Sequence, residues 1–436
     1  MLTRICVRGY KSLEHLDLCL GPLTVIFGPN AAGKSNLLDA LQLLSRVGTR
    51  PTLGEAFGPP HRGDALHSFH YGKDGIAGLL RHERVGLTIE ADLQLSTHTV
   101  ERVNAEIEGL RQVPRGDNGP GVRRGAQGGV RERRLRYRVS IEVTPADGRL
   151  RVADENLAAL SDSGEPSRKR QPFISADGDE IRLRAEGRGH PTYHQRYLDH
   201  TVVSLPLYAP HYPHVAALRR ELENWRFFYL EPRERMRAPS SVAEVHHIGP
   251  MGENLASFLN TLRALHPGQF QAIERALSAI VPTVTGLHVE PNRFGQLELS
   301  LLEGDAAIPA TLASEGTLRV LGLLALCGAQ EPPSLIGFEE PENGIHPRRL
   351  RHVASLLETR ASSETQIIVT THSPLLPDLV PEPSLYVCSR RSGATTVEPL
   401  AYGGLFRASA VTSALDDEAA SPTSVCDRIL RGDFDD

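Results

Sequence analysis

The stretch Gly28-Pro29-Asn30-Ala31-Ala32-Gly33-Lys34-Ser35 decides the fold of this chain, because it fits the pattern GxxxxGK(S/T) of a phosphate-binding loop. An apolar run, Leu23–Phe27, precedes it, and leucines at helical spacing follow it in residues 34–44. The glycines let the backbone curve, so that successive N–H groups and the start of a helix can hold phosphate oxygens. In such a loop Lys34 reaches the β- and γ-phosphates and Ser35 binds Mg²⁺. The stretch therefore predicts an α/β fold that binds a nucleotide.

Two acidic residues end a second apolar run. Residues 334–341 read Ser-Leu-Ile-Gly-Phe-Glu-Glu-Pro, so Glu339 and Glu340 follow a mostly apolar segment. A nucleotide-cleaving loop needs one carboxylate beside the magnesium ion and a second one that orients or deprotonates water. Successive side chains of a strand point to opposite sides, so the two glutamates can take these different roles.

Two further motifs place polar groups beside apolar segments. Residues 367–374, Ile-Ile-Val-Thr-Thr-His-Ser-Pro, put His372 just after an apolar run, where its imidazole could bind a γ-phosphate and report its loss. Residues 312–317, Leu-Ala-Ser-Glu-Gly-Thr, precede the apolar residues 318–327. Taken alone, Ser314 predicts only a helix N-cap. Together with the other motifs, it predicts a second helix N-terminus that binds phosphate.

In this order the motifs resemble those of the ABC-type ATPases, specifically the RecF/SMC-like branch that includes the ATPase part of the OLD (overcoming lysogenization defect) proteins. The residues that carry the resemblance are 8–13 (Arg-Gly-Tyr-Lys-Ser-Leu), 28–35, 312–317, 339–347 (Glu-Glu-Pro-Glu-Asn-Gly-Ile-His-Pro) and 371–374. The resemblance implies an α/β P-loop NTPase fold: an ABC-type head with a long α+β insertion between the P-loop and the signature motif. Its ligands would be ATP and Mg²⁺. The chain looks most similar to stand-alone ATPases of this branch, which have no nuclease domain.

The resemblance also implies a homodimer that closes around two ATP molecules. It makes Glu340 the catalytic glutamate and His372 the switch histidine, with Lys34 as the third catalytic residue. Mg²⁺ would be held by Ser35 and, partly through water, by Glu339. The implied ATP-binding residues of one copy are Gly28, Asn30, Ala31, Ala32, Gly33, Lys34, Ser35 and Asn36, and those of the signature motif of the other copy are Ser314, Glu315 and Gly316.

The sequence departs from the wider ABC pattern at three places. Glu315 stands where transporter subunits carry glycine, which is usual in this branch and argues against a transporter. His346 takes the place of the D-loop aspartate, so signalling across the dimer at that position is an open question. Gln94 and Gln112 are both candidates for the Q-loop glutamine, and no surrounding pattern favours either one.

The spacing of the motifs predicts four segments: residues 1–95 and 296–436 as the two ATPase lobes, 96–200 as a polar, Arg-rich and partly disordered insertion, and 201–295 as a mixed strand and helical insertion. No helical or strand period is visible in residues 111–138, and residues 115–129 are predicted to be a mobile loop. One strand is expected at residues 180–184, and two helices at 255–265 and 270–280. The Arg-rich loop could bind DNA phosphates. A solvated loop in an arginine-rich chain is the alternative interpretation.

The composition limits the classes of protein to consider. The chain has 436 residues and a formal net charge of -5, which excludes a wholly basic protein that coats nucleic acid. Its longest apolar run, residues 320–329, is about half of the roughly 20 residues that cross a bilayer. The five cysteines form no CxxC pair. We therefore expect a cytoplasmic protein that makes no contact with a membrane.

Three functions remain as hypotheses. The first is an ATP-hydrolysing head that dimerises around ATP as a conformational switch, in DNA repair or phage defence. The second is a nuclease of the OLD type, but only residues 373–436 follow the switch histidine, so an effector encoded nearby would have to supply that domain. The third is a slow or non-hydrolysing ATP-gated scaffold that recruits a separate effector such as a nuclease. The filled catalytic positions argue against the third.

Overall fold

The computed structural model describes residues 1–72, 74–112, 129–186, 190–328, 332–391, 393–400 and 424–434. Apart from Gly129, the predicted Arg-rich loop at 115–129 lies outside the described residues. The strands are β1 (Leu2–Tyr10), β2 (Leu13–Cys19), β3 (Leu23–Phe27), β4 (Val85–Gln94), β5 (Arg134–Thr144), β6 (Arg149–Ala159), β7 (Ile174–Asp177), β8 (Glu180–Leu183), β9 (Thr192–Gln195), β10 (Trp225–Phe228), β11 (Ser240–Ser241), β12 (Gly286–Pro291), β13 (Gln296–Glu303), β14 (Ala306–Pro309), β15 (Leu335–Glu339), β16 (Gln366–Thr371), β17 (Leu385–Arg391) and β18 (Ala394–Pro399).

The α-helices are α1 (Lys34–Val47), α2 (Leu53–Phe57), α3 (Gly75–Leu79), α4 (Thr97–Gln112), α5 (Pro213–Glu223), α6 (Leu255–Leu265), α7 (Pro267–Ile280), α8 (Glu315–Cys327), α9 (Pro347–Arg360) and α10 (Val425–Leu430). Across the described ranges, none of the helices has the length and apolar character needed to cross a bilayer.

The chain divides into two compact units, each built from several segments. The first unit consists of Met1–Pro22, Ala31–Trp225 and Cys388–Val397. The second unit consists of Leu23–Asn30, Arg226–Val387 and Glu398–Asp436. The four-segment division drawn from the sequence stays a prediction.

The first unit contains an antiparallel sheet in the order β2-β1-β4-β5-β6-β7-β8-β9. Buried and less buried positions alternate along β5, with Leu135 and Tyr137 fully buried between arginines. This alternation is the period of a strand with one face in the core. The expectation that residues 111–138 have no period is therefore wrong from Arg134 onward. The predicted strand at 180–184 is confirmed as β8, and its neighbours β7 and β9 were not foreseen.

Helix α1 of the first unit begins within the phosphate-binding motif. It starts at Lys34 and buries Leu37, Leu41 and Leu44 along one face, as the leucine spacing predicts. Gly33, just before the helix, has a φ of 106°. This left-handed conformation favours glycine, since it is strained for residues that carry a Cβ atom.

The second unit contains parallel strands in the order β15-β16-β3-β17, with β10 beside β15. All six residues of β16 are buried, as expected for a central strand of a parallel sheet that is covered on both faces. Residues of β3 and β16 form one apolar core with residues of α6, α7, α8 and α9. A smaller antiparallel sheet, β11-β13-β12, carries β14 on β13.

The two predicted insertion helices are both present in the second unit. Helix α6 has the predicted bounds, Leu255–Leu265. Helix α7 begins at Pro267, three residues before the predicted start. Proline suits the first position of a helix because its missing N–H group would have no helical partner there.

Candidate functional site

The three central strands of the second unit bring the motif ends to one edge of the sheet. Glu339 pairs with Thr370, and Thr371 pairs with Phe27, all in parallel register. Glu340, His372 and Gly28 are the next residues along their chains. Because parallel strands end at the same edge, these three residues leave the sheet side by side, where open α/β sheets bind their ligands.

Hydrogen bonds and a charged contact fix the position of Glu340. Its backbone N–H donates to the Thr370 carbonyl over 2.8 Å. One carboxylate oxygen lies 3.0 Å from His372 Nε2, and the other accepts a hydrogen bond from the Asn343 amide. The Glu340 backbone has a φ of 50°, an uncommon value for a residue other than glycine. The Glu340 side chain remains 21% exposed, so water can still reach the carboxylate.

A second carboxylate links the two loops that carry Glu340 and His372. Glu342 is buried, and its Oε1 atom accepts hydrogen bonds from the Thr371 hydroxyl and from the Ser373 N–H. Among the described residues, its Oε2 atom has no hydrogen-bond partner. Burial raises the pKa of Glu342. Glu342 therefore fixes the residues on both sides of His372.

The signature motif begins helix α8, also in the second unit. Ser314 caps this helix: its hydroxyl accepts from the Thr317 N–H over 3.1 Å. The helix start packs closely on the turn after Glu340, because a Cβ atom added at Gly316 would lie 2.3 Å from the Gly344 carbonyl oxygen. Glu315 contacts Arg233, with 2.7 Å between Oε1 and Nε. The signature residues and the turn that follows the catalytic glutamate thus form one packed corner.

The P-loop is divided between the two units. Gly28, Pro29 and Asn30 belong to the second unit, and the motif continues without a break into Ala31 and the rest of the first unit. Gly28, Ala31 and Gly33 all have positive φ values, of 151°, 61° and 106°. Lys34 is only 3% exposed. Residues with positive φ occur in the backbone turns that form anion-binding nests.

The predicted site residues fall into two groups. The first unit holds Ala31, Ala32, Gly33, Lys34, Ser35 and Asn36; the second holds Gly28, Asn30, Ser314, Glu315, Gly316, Glu339, Glu340 and His372. The magnesium ligands expected from the sequence, the hydroxyl of Ser35 and the carboxylate of Glu339, are both half-buried. Each of the two is a hard oxygen donor, the kind of ligand that Mg²⁺ prefers.

Several residues around these motifs were not predicted from the sequence. Glu342 and Asn343 lie inside a quoted motif, but without an assigned role. Arg319, in the second turn of α8, is buried, and neither its Nε nor its Nη1 atom has a hydrogen-bond acceptor among the described residues. Burial lowers the pKa of Arg319, while nearby carboxylates such as Glu340 oppose that shift. Thr395, far along the chain, contacts the P-loop.

Gln94 ends β4 and Gln112 ends α4, and the choice between them for the Q-loop stays open.

Comparisons with known proteins show which family this chain belongs to. A family model described as "AAA domain, putative AbiEii toxin, Type IV TA system" matches residues 23–378. A curated protein named OLD nuclease, from Thermus scotoductus, is 23% identical over 397 residues, which are 87% of this chain and 60% of that protein. The chain therefore spans 60% of the length of this relative.

Solved structures with a similar course of the chain include two SMC heads. One is an SMC head bound to the C-winged helix domain of ScpA, with a TM-score of 0.49, 13% identity, and coverage of 92% of this chain and 99% of that one. The other is the SMC head domain from Thermotoga maritima, with a TM-score of 0.42, 14% identity, and coverage of 92% and 98%. Both TM-scores are low, so the fold assignment rests on the strand order and the family match.

Proposed function

The chain belongs to this AAA-domain family, and from that premise we propose that it binds ATP with Mg²⁺ and hydrolyses it to ADP and phosphate. The family match confirms the α/β P-loop fold, and together with the relative named OLD nuclease it confirms the resemblance to the OLD-like ATPases. The observation that carries the proposal is the contact between Glu340 and His372 at the edge where the P-loop leaves the sheet.

In the proposed reaction the chain supplies positioning and charge. N–H groups of the P-loop and the Lys34 ammonium hold the phosphates, since a compact ammonium fits between oxygens that a planar guanidinium would not. Ser35 and Glu339 would hold Mg²⁺, which would supply positive charge against the phosphates. Glu340 orients the attacking water and accepts its proton as the new bond to the γ-phosphorus forms and the bond to the β–γ bridging oxygen breaks. His372 donates a hydrogen bond to the γ-phosphate.

We infer that the working form is a dimer around two ATP molecules. Ser314 is exposed at the N-terminus of α8, where N–H groups and the helix dipole favour an anion. Leu312, just before it, is 75% exposed. An exposed apolar residue beside a phosphate-binding helix start is what a second copy, carrying ATP on its own P-loop, would cover.

The test compares purified wild-type protein with Lys34→Ala and Glu340→Gln. We expect Lys34→Ala to lose ATP binding, and Glu340→Gln to bind ATP but to turn over about 10²- to 10⁴-fold more slowly. Glu358→Gln, on the exposed side of α9, is the matched control and should keep wild-type turnover. Wild-type turnover by Glu340→Gln would show that the water-activating residue is assigned wrongly.

The dimer has its own readout. Light scattering should give twice the monomer mass for Glu340→Gln with ATP, and the monomer mass without it. Mixing Lys34→Ala with Ser314→Arg should restore turnover, because one copy supplies an intact P-loop and the other an intact signature. No restoration, together with a monomer mass in ATP, would contradict the dimer.

We propose a biological role in DNA repair or phage defence, as a switch that dimerises on ATP binding. The relative named OLD nuclease, of which this chain spans 60%, supports a link to nucleic acid. Stimulation of turnover by DNA, lost on deleting residues 115–129, would support DNA binding through the Arg-rich loop. ATP binding without turnover would instead support a scaffold that recruits a separate effector.

A further inference from the structure

Three side chains and one backbone carbonyl of the first unit form a hydrogen-bonded chain beside the P-loop. The Asn36 amide donates to the Ser12 hydroxyl over 2.7 Å, the hydroxyls of Ser12 and Thr395 lie 2.6 Å apart, and Thr395 donates to the Ala32 carbonyl over 2.7 Å. The Thr395 backbone N–H also donates to the Ser12 carbonyl over 2.8 Å. A segment of the chain more than 350 positions later therefore contacts the loop directly.

Which group donates in each of these hydrogen bonds follows from the number of protons that each group carries. A carbonyl only accepts, so the single hydroxyl proton of Thr395 is used on Ala32. The Ser12 hydroxyl must then donate to Thr395, and its oxygen is left to accept from Asn36. Loss of the Thr395 hydroxyl would leave the Ser12 proton without this acceptor and would remove the shorter hydrogen bond of the Ala32 carbonyl, which would keep the 3.7 Å contact with Cys388 Sγ.

These bonds determine where the P-loop N–H groups point. In a trans peptide the C=O and N–H groups point in opposite directions. Thr395 Oγ1 and, over 3.7 Å, Cys388 Sγ both donate to the Ala32 carbonyl, so the N–H of Gly33 is turned to the opposite side. Arg390 donates to the Ala31 carbonyl over 3.4 Å, so the N–H of Ala32 is likewise turned to the side opposite that carbonyl.

The contact is tight and excludes water. Thr395 is 1% exposed and Ser12 is 9% exposed. A Cβ atom added at Gly33 would lie 2.0 Å from Thr395 Oγ1, so the threonine fills the space that any other residue at Gly33 would need. In such surroundings a lost hydrogen bond is not replaced by one to solvent.

We propose that Ser12 and Thr395 act as a clamp that holds the P-loop in its phosphate-binding conformation before the nucleotide arrives. Thr395 is thus a positioning residue: it acts through the Ala32–Gly33 peptide and does not itself contact ATP. The inference rests on the proposed ATP binding and adds a specific cause for the affinity. A loop ordered in advance does not lose conformational freedom on binding, so breaking the clamp weakens binding.

The test is the equilibrium dissociation constant for ATP, measured with Mg²⁺ on the full chain. We expect Thr395→Ala to raise this Kd about tenfold, as loss of one buried hydrogen bond would. Thr395→Ser keeps the hydroxyl and should bind like the wild type. The matched control is Thr396→Ala, because the neighbouring hydroxyl contacts Ser389 within the same hairpin rather than the P-loop.

A purely structural role makes a different prediction. In that case Thr395→Ala would lower the melting temperature without nucleotide and leave the Kd for ATP unchanged, and that result would overturn the clamp. The clamp predicts a higher Kd and KM, with kcat at saturating ATP kept within about twofold. If Thr395→Ala does not fold, Ser12→Ala breaks the same chain one bond earlier and is measured in the same way. Failure of the wild type to bind ATP would refute the proposed function, and the clamp with it.

Discussion

Replacing Glu342 by alanine removes the carboxylate that joins the loop after β15 to the loop after β16. In the native structure this carboxylate accepts from the Thr371 hydroxyl and the Ser373 N–H. The Ser373 N–H keeps a second acceptor, Thr371 Oγ1, at 2.9 Å. Thr371 is fully buried, so its hydroxyl would lose its acceptor without gaining a water molecule. We expect Glu342→Ala to lower the free energy of unfolding by about 1 to 3 kcal/mol, the usual cost of one such group.

Glu342→Gln is the matched variant, because its amide oxygen can still accept both hydrogen bonds. Burial raises the pKa of Glu342 above its value in the unfolded chain, so the folded state holds its proton more tightly. The contribution of this group to stability is then present at low pH and is lost as the pH rises above the unfolded value. The stability of Glu342→Gln relative to the wild type should therefore improve as the pH is raised above about 4.5, the ordinary value for a glutamate.

The assay is urea unfolding followed by circular dichroism at several pH values, together with ATP turnover. Turnover should fall in Glu342→Ala and survive in Glu342→Gln, because His372 lies between the two residues that Glu342 fixes. Equal loss of stability and turnover in both variants would refute the hydrogen-bond argument. A stability difference between Glu342→Gln and wild type that does not change with pH would refute the titration argument.

Two further predictions concern other buried positions. Burial lowers the pKa of His61 to about 4, so the contribution of His61 to stability is present above pH 6.5 and is lost as the pH falls. Urea unfolding should show that the wild type loses about 2 kcal/mol of stability relative to His61→Phe between pH 7.5 and 5. An equal dependence of stability on pH in both proteins would contradict this. Gly316→Ala should lower stability by about 1 to 3 kcal/mol and slow turnover, since its Cβ would meet the Gly344 carbonyl. Gly268→Ala, with open space around its Cβ position, is the control, and equal melting temperatures for the two variants would count against the clash.

Local signals in the sequence determined the nucleotide-binding motifs and many of the elements that carry them. The P-loop can be recognised in the sequence because its backbone conformation depends on two glycines, Gly28 and Gly33, within one short stretch of the chain. Glu340 and His372 can be recognised as site residues because each follows directly on an apolar strand, and parallel strands end at one edge of the sheet. Helix α6 was predicted with its observed bounds, since its apolar spacing and the following proline are both local features. The sequence of β5 also alternates with the period of a strand, although this strand lies close to the Arg-rich loop in the chain.

Only the tertiary structure decided which distant residues hold these motifs in place. Ser12 and Thr395 meet across 383 positions of the chain. Glu342 reaches Thr371 across 29 positions. A serine, threonine or glutamate carries no local mark of such a partner, because a side-chain hydrogen bond depends on position in space and not on spacing in the chain. Backbone conformation is encoded by neighbours, whereas the partners of buried polar groups are set only when the sheets and helices have packed.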